Sequence, residues 1–489
     1  MFKKDEKIFL ISLSIMILLY ISPIILADRL YIDDILRSQY GYKNWGLNGR
    51  PLADAVMALV NMTLGEIVDI SPLPLLMACG AYVLCSLAYY KTAINFIGPF
   101  KAGLLFFFVI ANPFLLENLS YKFDVLPMIL SVAVLLLPFC GIRNLNLKLL
   151  AGVLCVAASL SLYQASIGFF CALALIELAI AYRKNNATDC NLLKVLCLRV
   201  ASLLIGYLVY SLIAKYFIQG DYNETHSQMI GFNSEGFQSV IDTSKGMNYQ
   251  LMRTVGEMPV VVYAVAILAV VFSVYSVYAR KASWSASRFI ICLALITSPA
   301  TIYLLSFIHL SLLKNPIFVH RVLVSFCGII MYVVLMTLFY IQRKTLLTLL
   351  LAPLFLFANY YSFAYGNALK YQKEYDAKLS SELAQAVSRD DPDGVKQVRI
   401  FGTQGSSIQR LNAIKRLPSL EPLIPLYYTG GWWGTHLIKM YDITNEITGE
   451  SNLNRACAMR EIEANQRYRI YSDKSVILIS FEVPHCNAE

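Results

Sequence analysis

This chain of 489 residues is 57% hydrophobic and only 15% charged, whereas an average soluble protein carries roughly 25% charge. Its apolar residues are gathered into runs, which excludes a chain built only of soluble domains and points to a membrane. The net charge of +9 is no sign of nucleic acid, because much of the basic excess sits in short loops between apolar runs, where it sets orientation.

The first run, Ile8 to Ala27, is followed by Asp28-Arg29 rather than a small-residue cleavage motif, so it reads as a retained span. Further runs lie at 73–93, 102–117, 124–141, 147–163, 165–182, 198–218, 259–279, 288–310, 321–341 and 344–363. Together they predict about eleven transmembrane helices. The short run at 102–117 and the tight turn at Tyr163-Gln164-Ala165 widen this to about nine to twelve, with a re-entrant segment. Residues near 52–68 repeat apolar side chains at helical spacing, Leu52, Val56, Leu59, Val60, Leu64, Ile67 and Val68, with Asp54 and Asn61 opposite. That pattern predicts an amphipathic helix lying in the interface, and 237–255 is a weaker case.

Basic residues fix the expected orientation. Lys3, Lys4 and Lys7 precede the first span, and alternate loops carry Lys91, Lys101, Arg143, Lys148, Arg183, Lys184, Arg280, Lys281, Arg288, Arg343 and Lys344. The opposite loops hold Asp28, Asp33, Asp34, Glu117, Asp124, Asp221 and Glu224. The N-terminus is therefore expected in the cytoplasm and the C-terminus outside.

From about residue 366 the composition turns polar, with a helical pattern over 371–388 and β-branched clusters at Val395–Phe401, Tyr468–Tyr471 and Ser475–Phe481. The expected architecture is a polytopic α-helical membrane domain over 1–365 followed by an external α/β domain over 366–489. Of the cysteines, only Cys457 and Cys486 lie in that last domain, where an oxidising compartment would pair them. No spacing resembles a zinc site.

Ionisable groups at span ends are costly and tend to be functional. The densest set follows the first span: Asp33-Asp34, Arg37, Trp45 and Gly49-Arg50-Pro51. Adjacent carboxylates diverge, so one would meet a substrate while the other pairs with Arg37 or Arg50. A second set is Glu117-Asn118-Leu-Ser-Tyr121-Lys122-Phe-Asp124, a third is His320-Arg321, and Tyr163-Gln164 marks a further turn on the same side. The alternatives are solvated loops, helix caps and snorkelling side chains. Carboxylates beside several cations at one membrane surface suit a lipid-phosphate donor: arginine holds phosphate oxygens, and a carboxylate deprotonates an incoming hydroxyl. No Gly-rich phosphate loop suggests a nucleotide donor.

Asp33-Asp34 with Arg37, Trp45 and Gly49-Arg50-Pro51-Leu52 resemble the phage- or prophage-encoded, serotype-converting O-antigen glucosyltransferases of the Gtr type-II family. Glu117-Asn-Leu-Ser-Tyr-Lys-Phe-Asp124, Leu162-Tyr163-Gln164-Ala165-Ser166 and His320-Arg321 fit the same picture, as do the length and plan. The resemblance implies a GT-C architecture in the bacterial inner membrane, with the last domain periplasmic. It implies transfer of glucose from undecaprenyl phosphate-glucose to a sugar of the lipopolysaccharide O-antigen, in partnership with a lipid-glucose synthase and a small flippase. By the same resemblance Asp33 or Asp34 is the base; no cofactor is required, although acid pairs in that class sometimes bind a divalent metal.

In the scheme that follows, Arg37, Arg50, Lys122, His320 and Arg321 face the donor phosphate. Glu117, Asp124, Trp45, Tyr163 and Gln164 orient the acceptor or the cations, and Trp432-Trp433 after Gly430-Gly431 is a sugar-stacking candidate. Rival readings are an O-antigen polymerase and a lipid-linked sugar flippase or transporter; the latter would place charges near span centres and often show repeats.

Overall fold

The computed structural model describes residues 2–185, 187–220, 225, 228–231, 233–280, 285–430, 432–450, 452–484 and 486. Asp221, Glu224, Lys281 and Gly431, which the sequence places in loops, lie outside the described residues. The chain divides into two compact units, Met1–Ser22 with Tyr42–Ser362, and Pro23–Gly41 with Phe363–Glu489.

In chain order the helices are α1 (Lys4–Ala27), α2 (Asp34–Tyr40), α3 (Pro51–Val60), α4 (Leu73–Tyr89), α5 (Pro99–Ile110), α6 (Leu116–Ser120), α7 (Val125–Val134), α8 (Leu145–Leu162), α9 (Ile167–Lys184) and α10 (Asp189–Ala214). They continue with α11 (Ser234–Val255), α12 (Val261–Ala279), α13 (Ala286–Leu305), α14 (Ile308–Ser311), α15 (Cys327–Tyr340), α16 (Lys344–Asp390), α17 (Ile408–Arg416) and α18 (Trp432–Lys439). Among the described residues nine helical segments are long and apolar enough to cross a membrane. This is a polytopic helical chain.

The first unit is helical. Polar caps begin several of its long helices: the Asn144 side chain accepts from the Asn146 and Leu147 amides at α8, and Thr188 caps α10. Small residues let helices approach closely. A Cβ on Gly206 of α10 would lie 2.7 Å from Val156 of α8, and one on Gly152 of α8 would lie 2.5 Å from the Ser202 hydroxyl of α10.

Three apolar runs give shorter helices than hydropathy suggests. The run at 102–117 stops at Ile110, because Pro113 has no amide to continue α5 and Asn112 turns its side chain onto the Phe114 amide at 3.0 Å. The run at 124–141 forms α7 and then a separate 3-10 turn at Leu137–Phe139 that contains Pro138. The amphipathic run near 52–68 is helical only over Pro51–Val60; Asn61 then accepts from the Val68 amide at 3.1 Å, and Met62 takes a left-handed φ of 53°. Met62 and Leu64 beyond it remain 94% and 93% exposed, apolar surface suited to lipid.

The second unit contains a five-stranded sheet ordered β2 (Ile447–Gly449), β1 (Gln397–Phe401), β5 (Val476–Ser480), β4 (Arg469–Ser472) and β3 (Arg460–Ala464). β1 runs parallel to β2 and β5, whereas β5, β4 and β3 are antiparallel. Its core packs Leu379, Leu383 and Val387 of α16 with Val398, Ile400, Ile470, Ile477 and Ile479. Cys457 and Cys486 are joined by a disulfide, their Cα atoms 5.5 Å apart. Residues 23–41 belong to this unit, a membership with no local signature in the sequence.

Candidate functional site

In the helical unit, several of the singled-out residues form one connected network at helix ends. The 3-10 turn His320–Phe326 presents Arg321, whose amide donates to Glu117 Oε2 at 2.7 Å. The Arg321 guanidinium lies 3.7 Å from Glu117 Oε1 and donates to the Tyr121 hydroxyl. The Arg321 carbonyl accepts from the Tyr163 hydroxyl at 2.9 Å and from the Asn118 amide group at 3.2 Å. Tyr163 ends α8 in an extended conformation, which releases its ring from the helix. The Arg50 guanidinium stands 4.6 Å above that ring, and Arg50 Nε donates to Gln164 Oε1 at 2.9 Å. Gln164 Nε2 in turn donates to the Asn48 carbonyl at 2.9 Å and meets the Tyr210 hydroxyl at 3.0 Å. Glu117, Tyr121, Tyr163, Gln164, Arg50 and Arg321 are thus linked, although they come from four separate stretches of chain. Two guanidinium groups anchored by aromatic rings and one buried carboxylate can receive an anion.

A second group in the same unit fixes the turn before α3. The indole of Trp45 donates to Asp124 Oδ1 at 2.6 Å, and the Trp45 and Gly46 amides donate to Asp54 at 3.0 and 2.6 Å. Asp54, in the first turn of α3, is a site residue that the sequence did not single out, because the amides it binds lie eight and nine residues before it. Lys122 pairs with Asp69 at 3.1 Å. The His320 ring meets Thr254 at 3.5 Å and stacks near Phe114.

Asp33, Asp34 and Arg37 belong to the other unit. Asp34 is fully buried, and its Oδ2 accepts from the Tyr31 amide at 3.0 Å; Arg37 is buried and Asp33 half-buried. This stretch is tied to the terminal residues at several points. Arg29 Nη2 meets Asp376 Oδ2 and donates to the Pro425 carbonyl, each at 2.7 Å. The Tyr31 hydroxyl donates to the Leu423 carbonyl at 3.1 Å, and Gln39 to the His436 carbonyl at 2.7 Å. Asp376 also accepts from Gln372 at 2.8 Å and Gln404 at 2.7 Å. The terminal partners of Arg29, Tyr31 and Gln39 were not legible in the sequence, because each of those contacts spans more than 300 residues. Trp432 opens α18, 62% exposed, with its ring 4.7 Å from that of His436. Among the described residues, no three His, Cys, Asp or Glu side chains group as metal ligands would.

Comparison with known proteins decides the family. Residues 22–338, most of the chain and all of the network above, match the family described as Glucosyl transferase GtrII. The chain belongs to the GtrII glucosyl transferase family. The GtrII chain is also 26% identical over 455 residues to an "Uncharacterized 55.3 kDa protein in gtrB 5'region" of Salmonella phage P22, covering 90% of this chain and 91% of the phage protein. No solved structure matches it.

Proposed function

We propose that this protein transfers glucose from undecaprenyl phosphate-glucose to a sugar of the lipopolysaccharide O-antigen, on the periplasmic face of the inner membrane, with inversion at the anomeric carbon. The observation that carries this reading is Arg50 and Arg321 meeting at Tyr163 at helix ends of an apolar helical unit, the Arg50 guanidinium over its ring and the Arg321 backbone carbonyl on its hydroxyl. A donor whose leaving group is a lipid phosphate needs such cations at a membrane surface.

In the reaction the acceptor hydroxyl attacks the anomeric carbon while Asp33 or Asp34 takes its proton. The bond from that carbon to the phosphate oxygen breaks, and its electron pair leaves with undecaprenyl phosphate, whose charge Arg50 and Arg321 offset. Glu117 holds Arg321 in place. A synthase that loads the lipid and a flippase that delivers it would supply the donor.

The test is glucose transfer in detergent from undecaprenyl phosphate-glucose to O-antigen lipopolysaccharide, comparing wild type with folded Asp33→Asn and Asp34→Asn variants. The expected outcome is loss of about 10²–10⁴-fold in one variant, the usual contribution of a general base. Full activity in both would remove the acid pair from the mechanism, and retained anomeric configuration would exclude the single displacement. Absence of transfer from this donor would reject the donor assignment.

A further inference from the structure

The stretch from Asp28 to Gln39 is built into the terminal unit in an unusual way. The hydroxyl of Tyr427 donates to the Leu30 carbonyl at 2.6 Å and accepts from the Ile32 amide at 3.3 Å, so one side-chain atom bridges the backbone on both sides of Tyr31. Ile32 has a φ of 49°, in the left-handed region that a β-branched residue adopts only under constraint. Asp33 and Asp34 follow directly. Tyr31 closes a turn with Asp34 in both directions: its amide donates to the Asp34 carboxylate, and its carbonyl accepts from the Asp34 amide, each at 3.0 Å.

Tyr427 is itself fixed. The Arg29 guanidinium lies 4.3 Å above its ring and is anchored by buried Asp376. Arg29 Nε and Nη1 are buried without a hydrogen-bond partner among the described residues. An ion pair satisfied through one nitrogen is a poor source of stability but a specific positional lock. Burial also pushes the Tyr427 phenol up to about 12, so it keeps the proton that it donates to Leu30.

We infer that the terminal unit is the positioning device for the acid pair: Tyr427, seated by Arg29 and Asp376, holds Ile32 in its strained conformation and so sets the aim of Asp33 and Asp34. Tyr427 is a positioning residue under this inference, which rests on the proposed role of the acid pair as base. It gives the C-terminal domain a part in the chemical step that is independent of any acceptor binding.

The experiment is Tyr427→Phe, which deletes only the hydroxyl, in the full-length protein. The expected kcat is about 10–100-fold lower, as a displacement of about 1 Å can cost, with KM for undecaprenyl phosphate-glucose within about twofold of wild type. Amide hydrogen exchange over residues 28–41 should quicken while the thermal midpoint stays near the wild-type value. Adding Ile32→Gly, which accepts a positive φ without strain, should recover a large part of the lost kcat. Three results would overturn the inference: unchanged exchange over 28–41, a wild-type kcat for Tyr427→Phe, or a loss that Ile32→Gly cannot relieve. Parallel Asp33→Asn and Asp34→Asn variants separate the two readings. If both keep full rate, the acid-pair mechanism fails and the positioning role with it, whereas if one is dead and Tyr427→Phe is not, only the positioning role fails.

Discussion

The helical unit and the terminal unit anchor their candidate residues against different mixes of partners. Around Tyr163 the helical unit satisfies polar groups with one another: Arg321 with Glu117 and Tyr121, Arg50 with Gln164, Trp45 with Asp124. A unit surrounded by lipid has little water to satisfy an orphaned donor, so its charges form closed chains at helix ends. The terminal unit fixes the 28–41 stretch with the side-chain pairs Arg29–Asp376 and Asp28–Lys373 and adds backbone carbonyls, those of Pro425, Leu423 and His436. The first arrangement makes Arg50 and Arg321 depend on their shared neighbours, and the second ties the stretch holding Asp33 and Asp34 to residues far away in sequence.

If that contrast is right, damage to the terminal unit should spread furthest. Asp376→Ala leaves the Arg29 guanidinium buried without its carboxylate, and breaking a buried pair this way typically costs about 3–5 kcal/mol. The expected outcome is earlier unfolding and faster proteolysis of the terminal domain, followed by limited proteolysis in detergent, while the helical unit stays resistant. Asp376→Asn should be costly as well, since it leaves the Arg29 charge unpaired and sets an amide N–H against either Arg29 or the Gln372 and Gln404 donors. Next comes the disulfide. Its 29-residue separation predicts a loss of about 3–4 kcal/mol for Cys457→Ser by loop entropy, measured as a lowered urea midpoint of the terminal domain. If either variant unfolded both units together, the contrast would not hold.

In the helical unit, Trp45→Phe keeps the ring and deletes only the indole donor to Asp124. Losing one hydrogen bond to a carboxylate should cost about 2 kcal/mol, read as a drop in the thermal midpoint of the detergent-solubilised protein. Because this network is local, amide exchange over 28–41 should not change, and a change there would merge the two regions.

What the sequence made legible follows the same division. Long apolar runs and the β-branched clusters near 397–401 and 476–480 declare themselves, because burial in lipid or in a sheet acts on every residue of the segment. The candidate residues Glu117, Tyr163, Gln164, Arg50 and Arg321 were also visible, as charge and aromatic side chains crowded at span ends. The shortened helices were less so: hydropathy runs straight through Asn112-Pro113 and Asn61, where one side chain or one missing amide ends the helix. Long-range partners were invisible. Nothing near Asp376 says that it pairs with Arg29, and nothing near Tyr427 says that it bridges Leu30 and Ile32.

The smallest expected effect is one of pH, and it should appear in the terminal unit. Slight burial raises the Asp473 carboxyl, but the Ser475 and Val476 amides, each donating at 2.7 Å, the Ser475 hydroxyl and Arg455 at 3.6 Å outweigh it and hold the group below the usual aspartate value. A depressed folded-state pKa means that the unfolded chain binds the proton more readily. Its contribution is therefore fully present above the ordinary aspartate pKa of about 3.9 and is lost as pH falls through the folded value. Asp473→Asn should lower the midpoint slightly at neutral pH and flatten its decline in acid, measured by thermal melts of the terminal unit between neutral pH and about pH 3. Since Asp473 closes the turn between β4 and β5, and β5 carries Ile477 and Ile479 into the core, the acid-side loss should register in exchange from the sheet before exchange from the helices of the other unit.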